Sequence, residues 1–155
     1  MHIGHVHLKV SDIEKSLSFY RDLLGFQITA RYGDQAVFLS DGGYHHHIGL
    51  NTWESKGAPP APEGHTGLYH VAILFPERRK LAEAVKRLQD AGYPISGASD
   101  HGVSQAIYLA DPDQNGIELY WDRPEGQWPK DDTGSLAMTS AFFDIEELLK
   151  QEGLQ

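Results

Sequence analysis

The chain has 155 residues, 40% hydrophobic and 23% charged, with a formal net charge of −9, nine histidines and no cysteine. An acidic surface whose one basic cluster is Arg78-Arg79-Lys80 repels phosphate, which excludes nucleic acid and anionic membranes as main partners, and the missing cysteines exclude disulfides and thiolate metal sites. No apolar run approaches the roughly 18–20 residues of a membrane span, and residue 1 leads straight into a strand pattern without a basic and apolar leader, so no membrane association and a cytoplasmic location are expected.

Residues 3–10 alternate with period two, Val6, Leu8 and Val10 on one face and Ile3, His5, His7 and Lys9 on the other. Ser11 is read as a helix cap, with Glu14 in capping-box position. Ile13, Leu17, Tyr20 and Leu24 make an apolar stripe that Gly25 ends. Strands are expected at 26–31, 35–39 and 44–51, separated by Gly-containing turns. The first module is thus residues 1–53, and the proline- and glycine-rich stretch 54–66 reads as a linker.

The second module, 67–122, repeats the order. A strand at 67–75 carries His70, followed by Val71 as His5 is followed by Val6. Pro76 suits the first helical position, and Leu81, Ala84, Val85 and Leu88 form the stripe up to Gly92. Strands follow near 93–98, 104–110 and 116–121. Residues 123–140 read as irregular and polar, with a short helix from Asp144 to about Gln151 closing the tail 123–155.

Two copies of one unit make matched histidines candidates for a shared site. The helices cover one face of each sheet, so the other faces are expected to enclose a cup lined by the residues that point away from the helices. Glu118, between Ile117 and Leu119, then faces the cup. A carboxylate among apolar residues demands a partner, since desolvating it unpaired costs several kcal/mol. His5, His70 and Glu118 together make the 2-His-1-carboxylate set associated with non-haem Fe(II).

The stretches His5-Val6, Ser11-Asp12, Phe19-Tyr20, Leu24-Gly25-Phe26, Tyr69-His70-Val71-Ala72, Asp111-Pro112-Asp113 and Asn115-Gly116-Ile117-Glu118-Leu119 resemble the vicinal oxygen chelate superfamily over about residues 3–122. That superfamily holds glyoxalase I, fosfomycin and bleomycin resistance proteins and type I extradiol dioxygenases. The resemblance implies an α+β fold of two paired βαβββ modules, a cup-like, partly open barrel around a metal held by His5, His70 and Glu118. Setting His47-Ile48-Gly49-Leu50 over Gly116-Ile117-Glu118-Leu119 puts Gly49 where glyoxalase-like sites carry a fourth ligand.

Three protein ligands suit a catechol and dioxygen, and Tyr44–Trp53 and Gly67–Pro124 are most similar to the catechol-2,3-dioxygenase branch. By that resemblance His46 is the acid–base histidine, whereas strand parity with Gly49 favours His45 and His47; His46 is taken first and His47 second. Tyr108 and the Asp100-His101 pair match further catalytic positions. The expected activity is extradiol cleavage of a small aromatic diol with Fe(II), or Mn(II) or another divalent metal, in a homodimer. The alternatives are a glyoxalase-type lyase or isomerase and a resistance-type binding module without turnover. His2 and His65 are read as surface residues.

Overall fold

In the computed structural model, which describes residues 1–154, the chain forms two compact units. The first comprises Met1–Tyr69 together with Asp111–Asn115; the second comprises His70–Ala110 and the chain from Gly116 onward. Among the described residues the architecture is mixed α+β, with one four-stranded and one five-stranded sheet.

In the first unit β1 (Val6–Lys9) leads to α1 (Ile13–Leu17), which continues as a π-helical segment (Ser18–Leu23), then to β2 (Gln27–Tyr32), β3 (Ala36–Ser40) and β4 (Ile48–Asn51). The sheet order is β1-β4-β3-β2, with β1 parallel to β4 and the other pairs antiparallel. The predicted stripe is buried as expected: Leu17 and Tyr20 are wholly inside, with Ile13 and Leu24 nearly so. Gly25 ends the helix with φ 92°, a left-handed conformation that glycine adopts without a Cβ penalty.

The cap differs from expectation. Asp12 is the N-cap, its carboxylate accepting from the Lys15 N–H at 2.9 Å. Ser11 instead turns its own N–H to the Asp113 carboxylate, 3.1 Å from both oxygens, so a partner 102 residues away outcompetes the local capping box. The segment Asp111–Asn115 is held in this unit by a buried carboxylate. Asp111 is 1% exposed and accepts from Tyr20 Oη (2.8 Å), the Asp113 and Asn115 N–H groups (2.9 Å each) and Asn115 Nδ2 (2.9 Å). Four donors offset the desolvation that a buried charge otherwise carries.

The second unit repeats the order with β5 (Val71–Leu74), α2 (Arg78–Asp90), β6 (Gly97–Asp100), β7 (Ser104–Ala110) and β8 (Gly116–Asp122). Its sheet runs β5-β8-β7-β6, β5 parallel to β8, and gains β9 (Ala141–Phe142) on the edge of β6. Leu81, Ala84, Val85 and Leu88 of α2 are fully buried. The helix starts two residues after Pro76, with Glu77 at the N-cap. The tail is less irregular than its composition predicts: a 3₁₀ turn (Glu125–Gln127), β9 and α3 (Ile145–Gln151) order it, and Leu148 and Leu149 of α3 are buried.

Several strands are shorter than predicted. β1 begins at Val6 and β5 at Val71, so His5 and His70 each stand one residue before a strand. β4 begins at Ile48, which leaves His45, His46 and His47 in the preceding loop, outside the reach of strand parity.

Candidate metal and acid–base site

In the second unit three adjacent strands, β5, β8 and β7, place Ala72, Glu118 and Tyr108 side by side, because Ala72 pairs with Glu118 and Glu118 with Tyr108. Ile117 and Leu119 point to the opposite face, buried at 1% and 0% exposure, so alternation turns Glu118 away from the core as predicted. The carboxylate remains mostly covered, 14% exposed, and both its oxygens are engaged. Oε2 lies 3.0 Å from His70 Nε2, and Oε1 accepts from the Tyr108 hydroxyl at 3.1 Å.

Tyr108 also lies 2.7 Å from His101 Nε2, and His101 Nδ1 lies 2.9 Å from the carbonyl oxygen of Thr139. These contacts form one chain from His70 through Glu118, Tyr108 and His101 to the tail. The Tyr108 hydroxyl carries one hydrogen and faces two groups able to accept it, Glu118 and a neutral His101. The network is therefore one that can move a proton between these groups.

Asp100 does not touch the imidazole beside it. Its carboxylate accepts from the Gly102 N–H (2.8 Å) and Gln105 Nε2 (3.1 Å) and pairs with Arg123. Burial alone raises its pKa, but the Gly102 N–H, Gln105 and Arg123 outweigh it and hold the carboxyl below the ordinary carboxylate range.

The matching positions of the first unit are His7, Gly49 and Phe38, since His7 pairs with Gly49 and Gly49 with Phe38. Gly49 is thus the register counterpart of Glu118, Phe38 of Tyr108 and His7 of Ala72. The place of a side chain at 49 is taken by the His7 ring: a Cβ there would stand 2.9 Å from His7 Cγ and Cδ2. Phe38 and Trp53 flank that ring, with centroids at 5.7 and 5.6 Å.

His46 stacks against His5 (centroids 4.4 Å) and Phe38 (5.1 Å), and its Nδ1 is 2.7 Å from Nδ1 of His45. His47 turns the other way, its Nδ1 3.1 Å from the Ser40 hydroxyl and accepting from the Asp41 N–H at 3.3 Å. Desolvation, then the charges of His5, His45, His7 and His47, lower the His46 pKa; burial and His5 do the same for His7. Both rings therefore favour the neutral form, which can accept a proton. His2 and His65 are exposed.

His70 and Glu118 fit a divalent cation by chemistry. A neutral imidazole nitrogen and a carboxylate oxygen, 3.0 Å apart here, are donors that such an ion would take. Among the described residues no group of three or more His, Asp or Glu is gathered tightly enough to hold a metal; His70 and Glu118 belong to the second unit and His5 to the first. No described helix is long and apolar enough to cross a membrane.

Two contributors had no readable signal in the sequence. The Thr139 carbonyl is a backbone group in a stretch that carries no periodicity. The seating of His7 over Gly49 depends on strand register, although the alternation had already put His7 on the His5 face.

The catechol-2,3-dioxygenase of Bacillus subtilis (strain 168) is 44% identical over 153 residues, covering 98% of this chain and 52% of that protein. Biphenyl-2,3-diol 1,2-dioxygenase 3 of Rhodococcus globerulus is 30% identical over 121 residues, covering 77% of this chain and 63% of that protein. The chain thus spans between about half and under two thirds of these two relatives. A glyoxalase/dioxygenase of Nostoc punctiforme shares the fold, with a TM-score of 0.67 at 20% identity over 79% of this chain and 92% of that one. The family model described as Glyoxalase/Bleomycin resistance protein/Dioxygenase superfamily matches residues 2–119. With that match over most of the chain, and paired strand–helix–three-strand units of equivalent register, the protein belongs to this superfamily.

Proposed function

We propose that this chain is a metal-dependent extradiol dioxygenase that opens a catechol-type aromatic ring with dioxygen as co-substrate. The observation that carries the reading is the register pair Glu118 and Gly49: one sheet presents a carboxylate and the other, at the equivalent place, none. A glyoxalase-type site fills both places, whereas a three-ligand set of His5, His70 and Glu118 leaves room for a diol and dioxygen. The similarity to a catechol-2,3-dioxygenase over 98% of the chain supports the same choice.

When bound, Fe(II) or Mn(II) supplies the Lewis acidity and the electron relay that join diol and dioxygen. His5 and His70 contribute neutral nitrogens and Glu118 one negative charge, so the site with its cation carries +1 and favours a singly ionised diol. The Tyr108 hydroxyl, beside Glu118, orients a ring oxygen through a hydrogen bond, with His101 behind it. His46 is the base. If its Nδ1–H is donated to His45, Nε2 is the basic nitrogen that takes the second diol proton and later returns it. His47, held by Ser40, positions the loop instead. Exposed Ile3, Tyr69, Leu74 and Phe142 support a homodimer as part of this reading, which light scattering measures directly.

The test is anaerobic loading with Fe(II), then catechols and air. The expected result is a yellow ring-cleavage product with matching dioxygen uptake. No product and no uptake across a panel of catechols, with either Fe(II) or Mn(II) loaded, would sink the proposal.

A further inference from the structure

We propose that the C-terminal tail is a positioning element: through the Thr139 carbonyl it fixes His101 as the Nδ1–H tautomer, which sets the direction in which Tyr108 donates. A carbonyl oxygen only accepts, so a ring nitrogen 2.9 Å from it carries the hydrogen. The contact is doubled, because the Thr139 N–H donates back to the His101 carbonyl at 3.0 Å. Around it the tail is pinned at several points. The Ser99 and Ser140 hydroxyls are 2.9 Å apart, and Ala141 and Phe142 pair with Asp100 and Ser99. The Ala137 N–H donates to Pro129 at 2.9 Å, and farther on α3 is held by buried Leu148 and by the 2.8 Å Arg78–Glu152 ion pair.

With Nδ1–H committed to the tail, a neutral His101 offers Tyr108 a lone pair at 2.7 Å. The one phenolic hydrogen then goes to His101, the shorter contact, instead of to Glu118 Oε1 at 3.1 Å, and the phenolic oxygen serves as acceptor toward whatever hydroxyl is brought to it. The opposite tautomer would donate into Tyr108 and turn the phenolic hydrogen toward Glu118. On the dioxygenase reading, on which this consequence rests, the tail makes Tyr108 an acceptor for a diol hydroxyl. The family match ends at residue 119, so the tail that supplies the Thr139 carbonyl lies beyond it, while His101 and Tyr108 lie within it.

The test is side-chain nitrogen NMR of the full, metal-free chain at a pH where His101 is neutral. Free histidine favours Nε2–H; here Nδ1–H is expected in excess, on the order of tenfold, as one hydrogen bond supplies. Thr139→Pro deletes the N–H that locks the tail to His101 and should lower that excess several-fold. Thr139→Val leaves the backbone intact and should leave the excess unchanged. A neutral ring that is mainly Nε2–H in the wild type overturns the inference, as does an unchanged ratio in a folded Thr139→Pro. If Thr139→Pro does not fold, the wild-type ratio decides. Catechol turnover is recorded on the same proteins after anaerobic loading with Fe(II): Nδ1–H without turnover refutes only the dioxygenase reading, and turnover with Nε2–H refutes only the tail.

Discussion

Replacing Gly49 with alanine tests whether the His7 ring occupies the corner of the first sheet that Gly49 leaves. A Cβ at 49 would approach His7 Cγ and Cδ2 at 2.9 Å and Nδ1 at 3.0 Å, closer than carbon atoms pack, so the ring must move. Phe38 and Trp53 stand 5.7 and 5.6 Å from it and oppose that movement. Overpacking of this kind costs ~1–3 kcal/mol. Against it, alanine in a strand gains about 0.5–1 kcal/mol over glycine by losing less backbone freedom on folding. The net expectation for Gly49→Ala is a loss of about 0–2.5 kcal/mol.

In a His7→Ala background the collision is gone and only the gain remains, so Gly49→Ala should stabilise by about 0.5–1 kcal/mol. Urea unfolding of the four proteins closes the cycle, with an expected coupling of ~1–3 kcal/mol. Equal effects of Gly49→Ala in both backgrounds, to within about 0.5 kcal/mol, would show that His7 does not occupy the corner.

Tyr20→Phe removes one of the four donors to the buried Asp111 carboxylate and should cost about 1.5–3 kcal/mol in urea melts with an unchanged slope; a loss under ~0.5 kcal/mol would mean the contact is idle. His70→Ala and Glu118→Ala should each abolish bound metal, read by elemental analysis, and full occupancy in both would refute the ligand set. The depressed pKa of Asp100 carries a pH signature. A folded pKa below the unfolded value of about 3.9 means stability present above that value and lost as pH falls through the folded pKa. The stability advantage of wild type over Asp100→Asn should therefore be constant near neutrality and shrink in acid below about pH 4, and an advantage that persists undiminished through acid would break the link to Arg123, Gln105 and Gly102.

The sequence by itself determined the repeat. His5-Val6 and His70-Val71, two amphipathic helices ended by glycine, and three strands after each follow from local periodicity and turn chemistry, which neighbours in the chain dictate. It also determined that Glu118 turns away from Ile117 and Leu119, because a pleated strand alternates. Tertiary structure decided the rest. Ser11 left the cap to its neighbour Asp12 and gave its N–H to Asp113, a partner no local rule could find. The loop before β4 took His45, His46 and His47 out of strand parity, and side-chain packing then sent His46 to His5 and His47 to Ser40. Aligning the two modules had already set Gly49 at the place of Glu118, and the strand register agrees; tertiary packing added the His7 ring over it. The tail, without periodicity to read, became an edge strand, and just before that strand the Thr139 carbonyl holds His101: backbone groups look alike in every sequence, and only the fold decides which of them meet a side chain.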